Sequence, residues 1–155
     1  MGKDTTMHSK NEAQVKRYLD MGNNAFRDER WDDAITYYTQ AISKGDKEYQ
    51  CYSNRSAAYL KKGDLLEALE DAGQCISIKP NYHKGHIRRV AVYHQMEEYE
   101  DAIEAYKAGL EHCPNDKTLQ KGLRAAQKKV HKLNHPQDEE PPEEEAEKVL
   151  KTFQF

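Results

Sequence analysis

The chain has 155 residues, 37% of them hydrophobic and 33% charged, with a net charge of −3 at neutral pH. That length allows about one domain, and the apolar share is low for one compact core but sufficient for an array whose units touch only their neighbours. The weak charge balance excludes a nucleic-acid binder with a concentrated basic stripe, and no run approaches the roughly 20 apolar residues of a membrane span.

Residues 1–11 are polar and without period, so a disordered leader is expected there. The opening Met1-Gly2-Lys3-Asp4-Thr5-Thr6 fits the loose N-myristoylation pattern at Gly2, and it carries no apolar signal-peptide segment. Asn11 can cap a helix expected from about Glu12. That helix carries Val15, Tyr18, Leu19, Gly22, Ala25 and Phe26 on one stripe. A turn over 28–31 leads to a partner helix over 32–43, with Ala34, Ile35, Tyr38, Ala41 and Ile42 facing inward.

The next hairpin runs from about Tyr49 to Lys79, folded at Gly63-Asp64 and closed by Pro80. A third follows Pro80-Asn81, and Pro114-Asn115-Asp116 stops it and caps another helix. That last helix, over 117–134, is rich in Lys, Gln and Ala, with Leu119, Leu123, Ala126, Val130 and Leu133 as a narrow apolar stripe. Beyond it, residues 135–155 form an acidic, proline-containing tail, with acids at 138–140, 143–145 and 147 against Lys148 and Lys151. Such a segment cannot build a core.

Several columns repeat at a step of 34 residues: Ala34, Ala68 and Ala102; Ala41, Cys75 and Gly109; Ile42, Ile76 and Leu110; Pro80 and Pro114. A fixed period of 34 with two amphipathic helices per unit is the signature of tetratricopeptide repeats. The expected fold is all-α, a right-handed superhelical solenoid. Three helix-turn-helix units, at about 15–48, 49–82 and 83–116, together with a capping helix at 117–134, make one domain over 12–134.

In stacked hairpins the first helices of successive units line a concave groove, and residues at i, i+3, i+4 and i+7 share its face. The expected groove residues are Lys16, Leu19, Asn23 and Arg27, then Gln50, Ser53, Asn54, Ala57 and Lys61, then Lys84, Ile87, Arg88, Ala91 and Gln95. Amide donors and cations in that number suit an extended acidic peptide ending in a free carboxylate.

The stretch Tyr52-Ser53-Asn54-Arg55-Ser56-Ala57-Ala58-Tyr59, followed by Lys61-Lys62-Gly63-Asp64, resembles the tetratricopeptide co-chaperones. It is most similar to the first repeat domain of the heat-shock-organising (stress-inducible) proteins, and the likeness covers roughly residues 12–134. The resemblance implies a carboxylate clamp for the C-terminal Glu-Glu-Val-Asp of cytosolic heat-shock chaperones of the seventy- or ninety-kilodalton class. Carried over, the clamp is Asn23, Asn54, Lys84 and Arg88. Asn23 and Asn54 would hold the terminal carboxylate, Lys84 the side chain of the last Asp, and Arg88 the upstream backbone or acid. The family's unit-one lysine falls at Leu19, with Lys16 one turn earlier on the same face as a partial substitute.

Other clusters are weaker. His86 takes an aromatic core position, so packing is the expected role of that member of the His83/His86 pair. His131 and His135 stand at i, i+4 without a third ligand. Cys51, Cys75 and Cys113 lack close pairs, Cys75 reads as a reduced core thiol, and a reducing cytosolic or nuclear setting follows. With no phosphate-cradling glycine loop or nucleophile elbow, neither catalysis nor a cofactor is expected. The alternative to a chaperone-tail adaptor is a scaffold subunit whose repeats bind an internal peptide or a folded partner. The acidic tail is a candidate to fold back onto the basic groove.

Overall fold

A computed structural model describes residues 3–45 and 48–138. They form seven α-helices: α1 (Lys3–Arg27), α2 (Trp31–Lys44), α3 (Tyr49–Lys62), α4 (Leu65–Ile78), α5 (His83–Gln95), α6 (Tyr99–His112) and α7 (Lys117–Asn134). A single 3-10 turn follows at Pro136–Asp138, and no strand occurs among the described residues. Each helix packs on the one before it and the one after it, while α3 also lies against α1 and α5. Those extra contacts align the first helices of the three hairpins side by side and create the groove. The expected helical solenoid with a capping helix is the observed architecture.

The 34-residue columns are the contact points between helices. Ala34, Ala68 and Ala102 are all fully buried, as are Ala41 and Cys75, because a small side chain lets two helix axes approach closely. Each hairpin differs in how it fills the gap beside its second helix. In the first, the Tyr38 ring lies over Gly22, where any Cβ would overlap it. In the third, Val90 occupies the equivalent of Gly22 and is itself buried. There Tyr106 lies instead against Gly122 of α7, where a Cβ would overlap its ring. Buried aromatic area thus joins the cap to the last repeat, with Leu119 and Ala126 completing the cluster. Asp116 caps α7, its carboxylate accepting the Leu119 amide hydrogen at 2.9 Å.

A buried ion pair joins the two helices of the second unit, and its arginine reaches back to the first. Arg55 of α3 donates from Nε and Nη2 to the two Asp71 oxygens of α4, at 2.7 and 2.8 Å, and from Nη1 to Thr39 Oγ1 of α2 at 2.9 Å. Tyr52 and Tyr59 flank the guanidinium, with ring centroids 5.6 and 5.9 Å away. The two-pronged geometry satisfies the carboxylate, so Asp71 is buried without an orphan charge. Cys51 and Cys75 are free, buried thiols whose pKa values burial pushes up to about 12 and about 11. Both are inert as nucleophiles at neutral pH.

The N-terminus departs from expectation. Helix α1 begins at Lys3, so residues 3–11 are helical where a disordered leader was expected, and Asn11 lies inside the helix instead of capping it. Residues 7–14 are exposed, which left no apolar period to read. Good helix formers such as Lys10, Glu12, Ala13 and Gln14 continue the helix outward from its packed part without needing a core. Gly2, with its acylation pattern, and the acidic stretch over 139–155 lie outside the described residues.

Candidate peptide-binding groove

The groove is built by α1, α3 and α5. Its central feature is a depression of about 230 Å³ lined by Asn23, Phe26, Arg27, Tyr38, Asn54, Ala57 and Arg88. Phe26, Tyr38 and Ala57 form an apolar floor, while two amides and two guanidinium groups stand around it. Asn54 Nδ2 donates to Asn23 Oδ1 at 2.9 Å, and the Tyr38 hydroxyl donates to the same oxygen at 2.9 Å. The two asparagines, 31 residues apart in sequence, are thereby joined across the α1–α3 boundary.

Arg88 sits deepest among the cations. Its Nε donates to the Ser53 carbonyl at 3.2 Å, and burial holds its pKa below the ordinary arginine value. The opposing pulls come from the Tyr82, Cys75 and Tyr38 side chains. Among the described residues no carboxylate pairs with it. A desolvated cation without an acid partner is costly unless something else supplies the anion. The groove is therefore chemically prepared for a negatively charged ligand that also offers some apolar surface.

The depression gathers Asn23, Arg27, Asn54, Ala57 and Arg88, five of the groove residues expected from sequence. Lys84 lies one turn before Arg88 on α5 and is exposed, as are Lys16 on α1 and Lys61 on α3. These three lysines stand outside the lining. Leu19 is half-buried and packs against both the Ala25–Ala34–Tyr38–Ala58 cluster and the Val15–Ala41–Cys51 cluster. Ser53, expected to face the groove, is fully buried, and only its carbonyl serves the site, through Arg88.

Two contributors escaped the sequence reading. Phe26 and Tyr38 read as core aromatics from their repeat positions. Phe26 stacks edge-on with Trp31 at 4.9 Å yet also lines the depression. Tyr38 is 1% exposed yet sends its hydroxyl to a groove amide. The available signal was chemical, since a buried tyrosine hydroxyl requires a partner, and Asn23 lies at hairpin distance from it. His86 is a core residue as expected, 2% exposed, with its ring nitrogen Nε2 2.7 Å from the Pro80 carbonyl.

Comparison with known proteins gives the following. Two models, each described as tetratricopeptide repeat, match residues 19–78 and 84–116. The chain is 36% identical to Hsp70-Hsp90 organizing protein 2 of Arabidopsis thaliana, over 94% of this chain and 27% of that protein. It is 38% identical to an Hsp70-Hsp90 organising protein of Plasmodium falciparum, over 73% of this chain and 45% of that one. It thus spans about a quarter of the first relative's length and under half of the second's. Among solved structures, it is similar to the Sgt2 TPR domain from Aspergillus fumigatus, with 32% identity and a TM-score of 0.72 over 83% of this chain and 85% of that one. It is also similar to the second TPR domain of human RPAP3 in complex with the HSP70 peptide SGPTIEEVD, with 26% identity and a TM-score of 0.69 over 76% and 98%.

Proposed function

The chain belongs to the tetratricopeptide-repeat family, and from that premise we propose that its groove docks the acidic C-terminal tail of a heat-shock chaperone. The tail is of Glu-Glu-Val-Asp type, from the seventy- or ninety-kilodalton class. The chain then acts as a non-catalytic co-chaperone adaptor in the cytosol. One observation carries this reading: the half-buried Arg88 guanidinium, lacking an acid partner among the described residues, beside the joined Asn23–Asn54 amides. The names of the curated relatives and the peptide held by the RPAP3 domain support it.

In this reading Asn23 and Asn54 donate to the terminal main-chain carboxylate. Lys84 attracts the side-chain carboxylate of the last residue, and Arg88 meets the backbone or acid upstream. Ala57 and Phe26 receive the apolar side chain between them. Lys16 and Lys61 act from the rim, where charge steers an acidic peptide more than it anchors it. Leu19 replaces one charge-assisted bond with packing. Such a bond contributes about 1.5–3 kcal/mol, so the groove binds more weakly than one with a complete clamp.

The test is a calorimetric titration with an acidic peptide ending in Glu-Glu-Val-Asp, as the free acid and as the C-terminal amide. The free acid is expected to bind and the amide to bind at least about tenfold more weakly. Lys84→Glu should abolish binding. Leu19→Lys should tighten it while lowering thermal stability, because Leu19 joins two apolar clusters. Failure of the free acid to bind would overturn the proposal. Equal binding of acid and amide would favour recognition of an internal segment.

A further inference from the structure

Asn23 Oδ1 accepts two hydrogen bonds from the protein itself, from the Tyr38 hydroxyl of α2 and from Asn54 Nδ2 of α3, each at 2.9 Å. A carbonyl oxygen has two lone pairs, so this one is saturated. What the Asn23 amide has left to offer is its Nδ2 hydrogens. The two donors reach it from different helices, so both would have to be given up for the amide to turn over. Tyr38 has no freedom to leave, because its ring is buried and seated on Gly22, with no room for a Cβ between them.

We infer that Tyr38 is a positioning residue that makes Asn23 a donor-only group, so that the groove selects an ionised terminal carboxylate over a carboxamide. A carboxylate only accepts, whereas a carboxamide carries an NH₂ that would meet the Asn23 donor with no free acceptor on that amide to answer it. This rests on the docking function proposed above and assigns its carboxylate selectivity to a residue that need not touch the ligand. Burial also pushes the Tyr38 phenol up to about 12, so its hydroxyl stays a donor wherever the peptide is ionised.

The inference is tested with Tyr38→Phe, which keeps the ring on Gly22 and removes only the hydroxyl, and with Asn23→Asp. Free-acid and amidated forms of one acidic peptide are titrated against each protein. Tyr38→Phe should weaken the free acid by about three- to tenfold and leave the amide unchanged or slightly tighter, so the acid-to-amide preference narrows. Asn23→Asp can still accept both internal bonds but has no donor, and should lose the free acid by at least about tenfold without losing thermal stability. A Tyr38→Phe protein that is less stable yet keeps the wild-type preference would overturn the inference. A second readout is independent of any ligand: the Asn23 side-chain amide resonances in the free protein. They should shift or average in Tyr38→Phe; if they remain as in wild type, Tyr38 does not position Asn23, whether or not the peptide binds. Wild-type protein that ignores the free-acid peptide while those resonances do respond would sink the docking function and, with it, the selectivity, leaving only the internal lock.

Discussion

His86 occupies the column held by Tyr18 and Tyr52 in the first two units, and it is the most buried of the three. Its Nε2 lies 2.7 Å from the Pro80 carbonyl. A carbonyl only accepts, so Nε2 carries the proton and donates. Nδ1 is then an acceptor buried without a partner. Protonating it would add a second N–H with nothing to receive it, beside the stacked His112 ring at 5.8 Å and the nearby Arg89. Burial first, then these two neighbours, hold His86 below the ordinary histidine value of 6.5, against the pull of the Pro80 bond. His94, whose Nε2 is 3.0 Å from the Tyr106 hydroxyl, is lowered by burial in the same way. The unfolded chain therefore binds protons first as pH falls. Stability is full above about 6.5 and declines below it until the folded-state values are passed. Urea midpoints measured from pH 7.5 down to 5 should fall, and His86→Phe should flatten that fall; an unaltered slope would show that His86 does not titrate on unfolding. At this scale sequence reading was uneven. His86 was legible as core because it replaces tyrosine, and Asn23, Asn54 and Arg88 were legible as residues that line one groove. The Tyr38–Asn23 bond and the Arg55–Asp71 pair were not. Both join residues 15 or 16 positions apart, and a period of 34 says which helices meet without saying which polar atoms do.

The helical hairpins share a feature that appears only once the backbone is known. Glu29, Gly63 and Glu97 stand 34 apart, and each has positive φ, at 57°, 89° and 61°. Each unit turns its first helix into its second through one left-handed residue, which lets the following amides bond back to the helix end. Arg30 N–H reaches the Ala25 carbonyl, Asp64 the Tyr59 carbonyl and Glu98 the Tyr93 carbonyl, at 2.9–3.0 Å. Gly63 was readable as a turn because glycine adopts this conformation freely. The two glutamates gave no such signal, and they hold a left-handed backbone at a strain of roughly 1–2 kcal/mol each. Replacing Glu97 by glycine removes that strain but loosens the unfolded chain, so the net gain should be up to about 1 kcal/mol in urea unfolding. Gly63→Ala, which meets no side chain within 4 Å but acquires the backbone strain, should lose about 1 kcal/mol. A Glu97→Gly protein less stable than wild type would mean that glutamate contacts outweigh the backbone term. The same limit explains α1, whose first two turns were invisible as helix because an exposed helix needs no apolar period.

At the scale of the whole molecule, the three apolar clusters follow one another along the stack. Two lie around α1 to α3, and one around α5 to α7. Contacts join neighbouring helices, so each end is stabilised from one side only. The 34-residue register made this legible from sequence, and the narrow stripe of the last helix identified it as the cap. Leu119 is the residue that most tests the arrangement. It is fully exposed to no solvent at all, joins the cluster of Val90, Ala102, Ala105 and Tyr106, and lies where a Cβ on Gly109 would meet its Cδ1 at 3.1 Å. Leu119→Ala should cost about 2–5 kcal/mol, but in a linear array that loss should not spread evenly. Amide exchange is expected to accelerate in α6 and α7, with α1 and α2 close to wild type, and the urea transition should broaden as the C-terminal end opens first. Arg88 lies on α5, between the opened end and the intact one, so acidic-peptide affinity should fall less than global stability does. Uniform acceleration through all seven helices would instead mean that the stack unfolds as one cooperative unit. In that case the groove would depend on the cap as strongly as on its own lining.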